Sequence, residues 1–268
     1  MKQIAKIKRI LFVLFILFLA SCATVPITGR RQLSLVNESE MIALSLTQYD
    51  QFMKENKLST NTKDAEMVKR VGLRIAKAVE AYFTSQGQAA YLDGYKWEFN
   101  LVESKDINAW CMSGGKVVVY TGILPITKTE AGLAAVMGHE IAHAVANHGG
   151  ERMSQQLAVV AGGVSLEIAM QQQPSQTRDL FNLAYGVGST LGTLAYSRTH
   201  ELEADKLGMV FMAMAGYDPA RALSFWEDMA SIPGIAPPEL LSTHPGSDRR
   251  IKAIRDFIPK ANIYFVNQ

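Results

Sequence analysis

His139-Glu140-Ile141-Ala142-His143 sets two imidazoles four residues apart with a carboxylate beside them. In a helix such a pair is separated by about 6 Å along one face, close enough for both rings to reach one tetrahedral ion. Proline is absent between Glu130 and Asn147 and glycine stands only at Gly132 and Gly138, so the run favours a helix, with Gly138 as the weak point beside the motif. A zinc ion held there brings the pKa of water down to about 7. Glu140 flanks the ligand face, where it can take the water's proton as general base and later return it to a leaving amine. That chemistry is amide hydrolysis.

A third ligand is supplied by Glu201-Leu202-Glu203-Ala204-Asp205. Glu201 and Asp205 are four apart on a second helix, so Glu201 can bind the ion while Asp205 accepts from the distal nitrogen of a ligand histidine. Two histidines and one carboxylate leave a coordination position open, as catalytic rather than structural zinc requires. Glu203 points elsewhere on the wheel and is expected to be solvated.

Gly138 to His143 together with Glu201 to Asp205 resemble the zincin metallopeptidases of the gluzincin family that includes HtpX and the CAAX prenyl endopeptidases. The similarity is to the envelope branch without HtpX's membrane helices, that of the BepA-like and Oma-type proteases. It extends over about residues 25–258 through Ile27 to Leu33, Asn108-Ala109, Gly114-Gly115, Tyr120 to Gly122, Thr243-His244-Pro245 and Arg250-Ile251. The resemblance implies one zinc per chain on His139, His143 and Glu201, Glu140 as base, and Asp205 behind the ligands. It also implies polypeptide substrates, with quality control of misfolded envelope proteins and contact with envelope-assembly machinery. No extended C-terminal repeat region of the BepA type is visible. A lipoprotein chaperone or scaffold with a latent or self-blocked zinc site is the alternative function.

His244 matches the family's His-Pro motif, which suggests that it approaches the metal, as a removable fourth ligand or as a donor to the oxyanion. A loop histidine anchoring a turn is the competing reading. Arg250 is a loop clamp or an oxyanion-side cation. His148 falls five residues after His143, which rotates it off a straight helix's ligand face, so it and Glu151 read as structural or rim residues. His200 lies about 100° from Glu201 and reads as exposed. Cys111 reads as a small buried residue.

The elements that position these groups follow from periodicity. Helices are expected at about Ser39 to Met53 and Asp64 to Phe83, the second from Met67, Val68, Val71, Leu73, Ile75 and Val79. Trp97 to Val102 and Lys116 to Tyr120 read as strands, the latter after the turn-like Ser113-Gly114-Gly115. A strand from Asn108 and Ala109 could pair with an extended substrate, with Gly114 and Gly115 allowing close approach, or the glycines are an ordinary turn. After Lys128 the chain is mainly helical, with a break at Gln171 to Ser175 and a Pro-rich loop from Ile232 to Pro238. Leu157 to Met170 reads as a core helix or a lid. Asp218 with Pro219 and Ser247 are candidate caps. The fold class is α+β, a mainly helical zincin-like domain with a small sheet beside the active-site helix.

The first residues carry an address. Lys2, Lys6, Lys8 and Arg9 precede an apolar run from Ile10 to Ala20, shorter than the roughly 17–25 residues of a membrane span, and small residues precede Cys22. Leu19-Ala20-Ser21-Cys22 resembles the bacterial lipobox. Residues 1–21 are therefore expected to be a cleaved lipoprotein signal, 22–38 a membrane-proximal tether, and 39–268 the peptidase domain. Cys22 would be lipidated, giving a periplasm-facing anchor, with the outer membrane as the expected site. Removing the four basic residues of the signal leaves 23 basic against 25 acidic side chains, a net charge of about −2. Nothing in that balance calls for nucleic acid.

Overall fold

The computed structural model describes residues 22–25, 28–160, 175, 177–179, 196–232, 240, 244 and 248–266. The signal segment, most of the 157–170 apolar stretch beyond Val160, most of the 171–175 break, the Pro-rich loop beyond Ile232, Pro245 and the Ser247 cap lie outside them. Among the described residues no helix is long and apolar enough to cross a membrane.

A short antiparallel hairpin opens the structure, β1 (Cys22–Thr24) pairing with β2 (Arg31–Leu33). Val25 and Val36 are buried, and Ser154 Oγ accepts from the Leu35 and Val36 N–H groups at 3.0 and 3.3 Å. The stretch expected as a tether is thus packed against the folded body. Asn37 then caps α1 (Glu38–Glu55) reciprocally: its side chain accepts from Glu40 N, and Glu40 accepts from the Asn37 N–H. In α2 (Thr62–Ser85), capped by Asn61, Val68, Val71, Ile75, Val79 and Phe83 fall on one stripe and are fully buried. Each such side chain contributes about 1.5–3 kcal/mol through burial. Leu73, which the sequence periodicity counts with them, is 47% exposed, because two residues from Val71 and from Ile75 is about 200° around the helix.

The sheet has the order β3 (Glu98–Val102), β5 (Lys116–Tyr120), β4 (Ala109–Met112), with β5 parallel to β3 and antiparallel to β4. Its faces separate with period two. Val117 and Val119 join the main core with α2, whereas Val118, Trp110 and Met112 pack with Tyr49 and Phe52 of α1. Helices on both faces bury the central strand completely, which is why Lys116-Val117-Val118-Val119-Tyr120 reads as a nearly continuous apolar run.

Glu38 is a half-buried acid in the first turn of α1. Tyr95 Oη donates to it at 3.4 Å. Burial pushes its pKa up from 4.5 to about 7 against the opposing hydrogen bonds of Ser113 and Tyr95. A folded pKa above the unfolded one means that stability is level below pH 4.5, falls between 4.5 and 7, and is level again above. Glu38→Gln should therefore gain about 2 kcal/mol on the wild type between pH 4.5 and 8, after allowance for partial solvation. Urea melts at the two pH values measure this, and a pH-independent difference would contradict it.

The helix α3 (Glu130–Val145) starts where Thr129 accepts from Gly132 N, and it is buried from Gly132 to Val145. It packs on α5 (Arg198–Met214), with α4 (His148–Val160), α6 (Ala220–Ala230) and α7 (Asp248–Ala261) around them. Asp218 caps α6 by accepting from Ala220 N at 2.9 Å, with Pro219 one residue ahead of the helix rather than inside it.

Candidate active site

α3 carries His139, Glu140 and His143, α5 carries Glu201 and Asp205, and His244 comes from the chain before α7. All six are buried. His139 Nε2 lies 3.0 Å from His143 Nε2 and 3.1 Å from His244 Nδ1. Glu201 Oε1 lies 3.0 Å from His244 Nδ1 and 3.4 Å from His143 Nε2, and Glu201 Oε2 lies 3.5 Å from His139 Nε2. Four donors at bond lengths of about 2.0–2.1 Å around a tetrahedral centre stand about 3.3 Å apart. The observed separations bracket that edge, so the donor set fits one small cation.

Glu140 stands beside the donors. Its Oε1 is buried without a hydrogen-bond partner among the described residues and lies 3.7 Å from His244 Nε2. Burial pushes its pKa up to about 7 against the charge of His244. A carboxyl so poised is suited to accept and return a proton near neutrality.

Asp205 Oδ1 accepts from His139 Nδ1 at 2.9 Å, the arrangement expected from the spacing. Arg250 holds Asp205 in turn, its Nε and Nη2 donating to the two carboxylate oxygens at 2.6 and 2.7 Å. It also lies 3.7 Å over the Trp226 ring, and its Nη1 donates to the His244 carbonyl at 3.3 Å. Its Nη1 also pairs with Glu201 Oε2 at 2.8 Å, so Arg250 touches both acids of α5 and the His244 backbone. Burial would raise Asp205's pKa, but the charge and hydrogen bonds of Arg250 together with those of His139 lower it.

Two expectations change, those for His200 and Glu203, and His148 takes the structural side of its reading. His148 and His200 are both buried and stacked on each other at 4.4 Å, and Glu203 is buried rather than solvated. His148 Nδ1 lies 2.9 Å from His143 Nδ1, and its Nε2 lies 2.9 Å from Glu203 Oε2. Glu203 also accepts from Thr28 Oγ1 and from Arg30 Nε, the latter at 2.5 Å. Arg30 Nη2 reaches Glu151 Oε2 at 2.7 Å, which also accepts from His200 Nε2 at 2.9 Å. Despite burial, these donors hold Glu151 and Glu203 down to about 2. Burial first of all lowers His148 to about 4, so it is neutral at pH 7. Sequence reading placed Thr28 and Arg30 in a family-like stretch but gave them no role at the site. The one available signal was a basic pair in a chain whose helices carry unexplained acids at 151 and 203.

Gly114 and Gly115, with φ of 85° and 82°, turn the β4–β5 hairpin, and their carbonyls accept from Lys96 and Glu98. Asn108 and Ala109 lie at the start of β4, the strand at one edge of the sheet and in contact with α3. Cys111 is buried, as expected.

The family description "Peptidase family M48" matches residues 63–258, a span that holds every candidate ligand. The chain belongs to peptidase family M48. Among M48-type relatives, the "Mitochondrial metalloendopeptidase OMA1" of Schizosaccharomyces pombe is 37% identical over 174 residues, 63% of this chain and 48% of the relative. The "Metalloendopeptidase OMA1, mitochondrial" of Homo sapiens is 31% identical over 246 residues, 88% and 46% of the two chains. The "Beta-barrel assembly-enhancing protease" of Escherichia coli K12 is 29% identical over 167 residues, 60% and 34%. The matched region is thus about half or less of each relative's length.

Proposed function

We propose that this M48 protein is a zinc-dependent endopeptidase that cleaves misfolded or misassembled polypeptides of a bacterial envelope. The observation that carries the reading is the buried donor set of His139, His143, Glu201 and His244, whose ligand atoms lie within 4.8 Å of one another, with Glu140, unbonded at Oε1 among the described residues, against it. Zinc, when bound, would supply a Lewis acid that polarises a carbonyl and lowers the pKa of water. Glu140 then takes a proton from the attacking water and hands it to the leaving amine, while Asp205 and Arg250 fix the ring of His139. An extended substrate would pair with the β4 edge near Asn108 and Ala109, and Gly114 and Gly115 serve the turn.

The envelope setting rests on the lipobox-like Leu19 to Cys22 and on likeness to a bacterial beta-barrel assembly-enhancing protease. In this reading residues 1–21 are removed and acyl chains on Cys22 hold the protein to the membrane, facing the periplasm, with β1 starting at the anchor. Contact with envelope-assembly machinery belongs to the same proposal.

The position of His244 favours a second reading of the resting state. Its Nδ1 occupies the corner that a catalytic site leaves for water, which makes the site self-blocked until the loop moves. The test is cleavage of casein by the zinc-loaded chain, with and without chelator, beside His244→Ala. Cutting that chelation abolishes is the expected result, and His244→Ala should raise the rate about tenfold if the loop gates the site. Stoichiometric zinc with no cutting by either protein would move the function to the chaperone or scaffold.

A further inference from the structure

Each ligand histidine has one nitrogen in the donor cluster and one facing away. For His139 the outward Nδ1 meets Asp205, itself gripped by Arg250 from the C-terminal helix. For His143 the outward Nδ1 meets another imidazole, His148, and behind it stand Glu203 and the Arg30 of the N-terminal hairpin. The two chains of contacts have the same terminus, a carboxylate paired with arginine, and the second carries one extra histidine.

We infer that His148, Glu203 and Arg30 are positioning residues that orient His143 as a metal ligand, making the N-terminal hairpin part of the metal site. The inference rests on the ligand assignment proposed above. A ring that binds through Nε2 carries its proton on Nδ1, so His143 donates to His148 Nδ1. His148 must then be protonated on Nε2 and donates to Glu203 Oε2, 2.9 Å away. Glu203 must stay an anion for that bond, and Arg30 Nε and Thr28 Oγ1 both donate to it. Every proton in the series has one direction, and the direction makes the bound nitrogen of His143 more basic. A bland polar network would satisfy the same buried groups, but nothing in it requires His148 to meet the outward nitrogen of a ligand.

The local fold supplies the contact. Ala146 caps α3, Asn147 takes φ of 53°, and α4 starts anew at His148, so the chain bends and returns the His148 ring to His143. The hairpin supplies the far end, since Arg30 sits between Val25 and the buried Gln32. It spans two carboxylates, Glu203 on α5 and Glu151 on α4.

The relay predicts metal affinity rather than activity alone. Zinc affinity of the full chain is measured by competition with a chromophoric chelator, and site geometry by the visible spectrum of the cobalt-substituted protein. Glu203→Gln and His148→Asn should weaken zinc binding about 10–100-fold, in the range seen when groups behind metal ligands are removed. Arg30→Gln should weaken it about tenfold and Arg30→Lys less, because lysine keeps the charge and loses the fork. In a Glu203→Gln background Arg30→Gln should add almost nothing. The thermal midpoint of the metal-free protein is followed beside each variant. Unchanged affinity and cobalt spectrum with a lowered metal-free midpoint would reduce the network to structural support and overturn the relay. If the wild type binds zinc and His139→Ala does not, the ligand reading stands and the relay is judged alone. If the wild type binds none, both fail. Arg30→Lys retains most of the fold's contacts, so it decides the matter if the other variants do not fold.

Discussion

Glu140→Gln is expected to lower kcat/KM on an unfolded polypeptide by about 10²–10⁴-fold while leaving zinc affinity within a few-fold of wild type. The amide keeps the size of the side chain and its place on α3 but can neither accept the water's proton nor pass it on. Glu140 makes none of the donor contacts among His139, His143, Glu201 and His244, so metal content should not follow activity down. The pH profile gives a second reading. Burial pushes the carboxyl up to about 7, and a bound cation next to it would pull it back down. The acid limb of the wild type should therefore fall between 4.5 and 7 when zinc is bound. A Gln variant that keeps more than a tenth of wild-type kcat/KM would remove Glu140 from the role of base and leave the site a metal centre of another purpose.

The chemistry was legible because it is periodic. His139 with His143, and Glu201 with Asp205, are each four apart in uninterrupted helices, and the structure brings the pairs together as helical spacing requires. The strand pattern around Lys116 to Tyr120 was equally plain, since both faces of β5 are covered. His148 stays outside the donor group, as its five-residue spacing implies, but its contact with His143 was not foreseen, for a reason of geometry. The wheel assumes one straight helix from His143, whereas α3 stops and the positive φ at Asn147 redirects the chain within a residue or two.

Glu203 and His200 failed differently. Their directions on α5 were right, but no periodicity within one helix states what packs on its far side. Here that is Glu151 of α4 and the Arg30 hairpin. Arg30-Arg31 read as tether because a basic pair beside glycine is usually solvated. It is the long-range pairing with two acids more than a hundred residues away that draws Arg30 partly out of solvent. His244 could be connected to the metal only by resemblance, since a loop has no period to fix its place.

Gly208→Val should cost about 3 kcal/mol or more and take zinc binding with it, because the two ligand-bearing helices meet at glycines. A Cβ on Gly208 would lie 2.8 Å from the His139 nitrogen and 2.9 and 3.0 Å from the Gly138 carbonyl carbon and oxygen. A Cβ on Gly138 would lie 2.9 Å from the Gly208 carbonyl oxygen. Those neighbours are backbone and do not swing aside, so relief must come from moving α5 away from α3, at the cost typical of overpacking or above it. Any such shift displaces Glu201 and Asp205 from His139 and His143, and a misplacement of about 1 Å is enough to spoil the constellation. Gly138, the glycine directly before the HExxH motif, is thereby explained: its propensity cost of about 1 kcal/mol is the condition for close approach at the site itself. Thermal melts should show the loss in the metal-free protein, with Gly208→Ala intermediate between valine and wild type. A Gly208→Val protein as stable and as zinc-loaded as wild type would mean that the helices tolerate separation, and that the donor geometry is set by the chains behind the histidines rather than by the crossing.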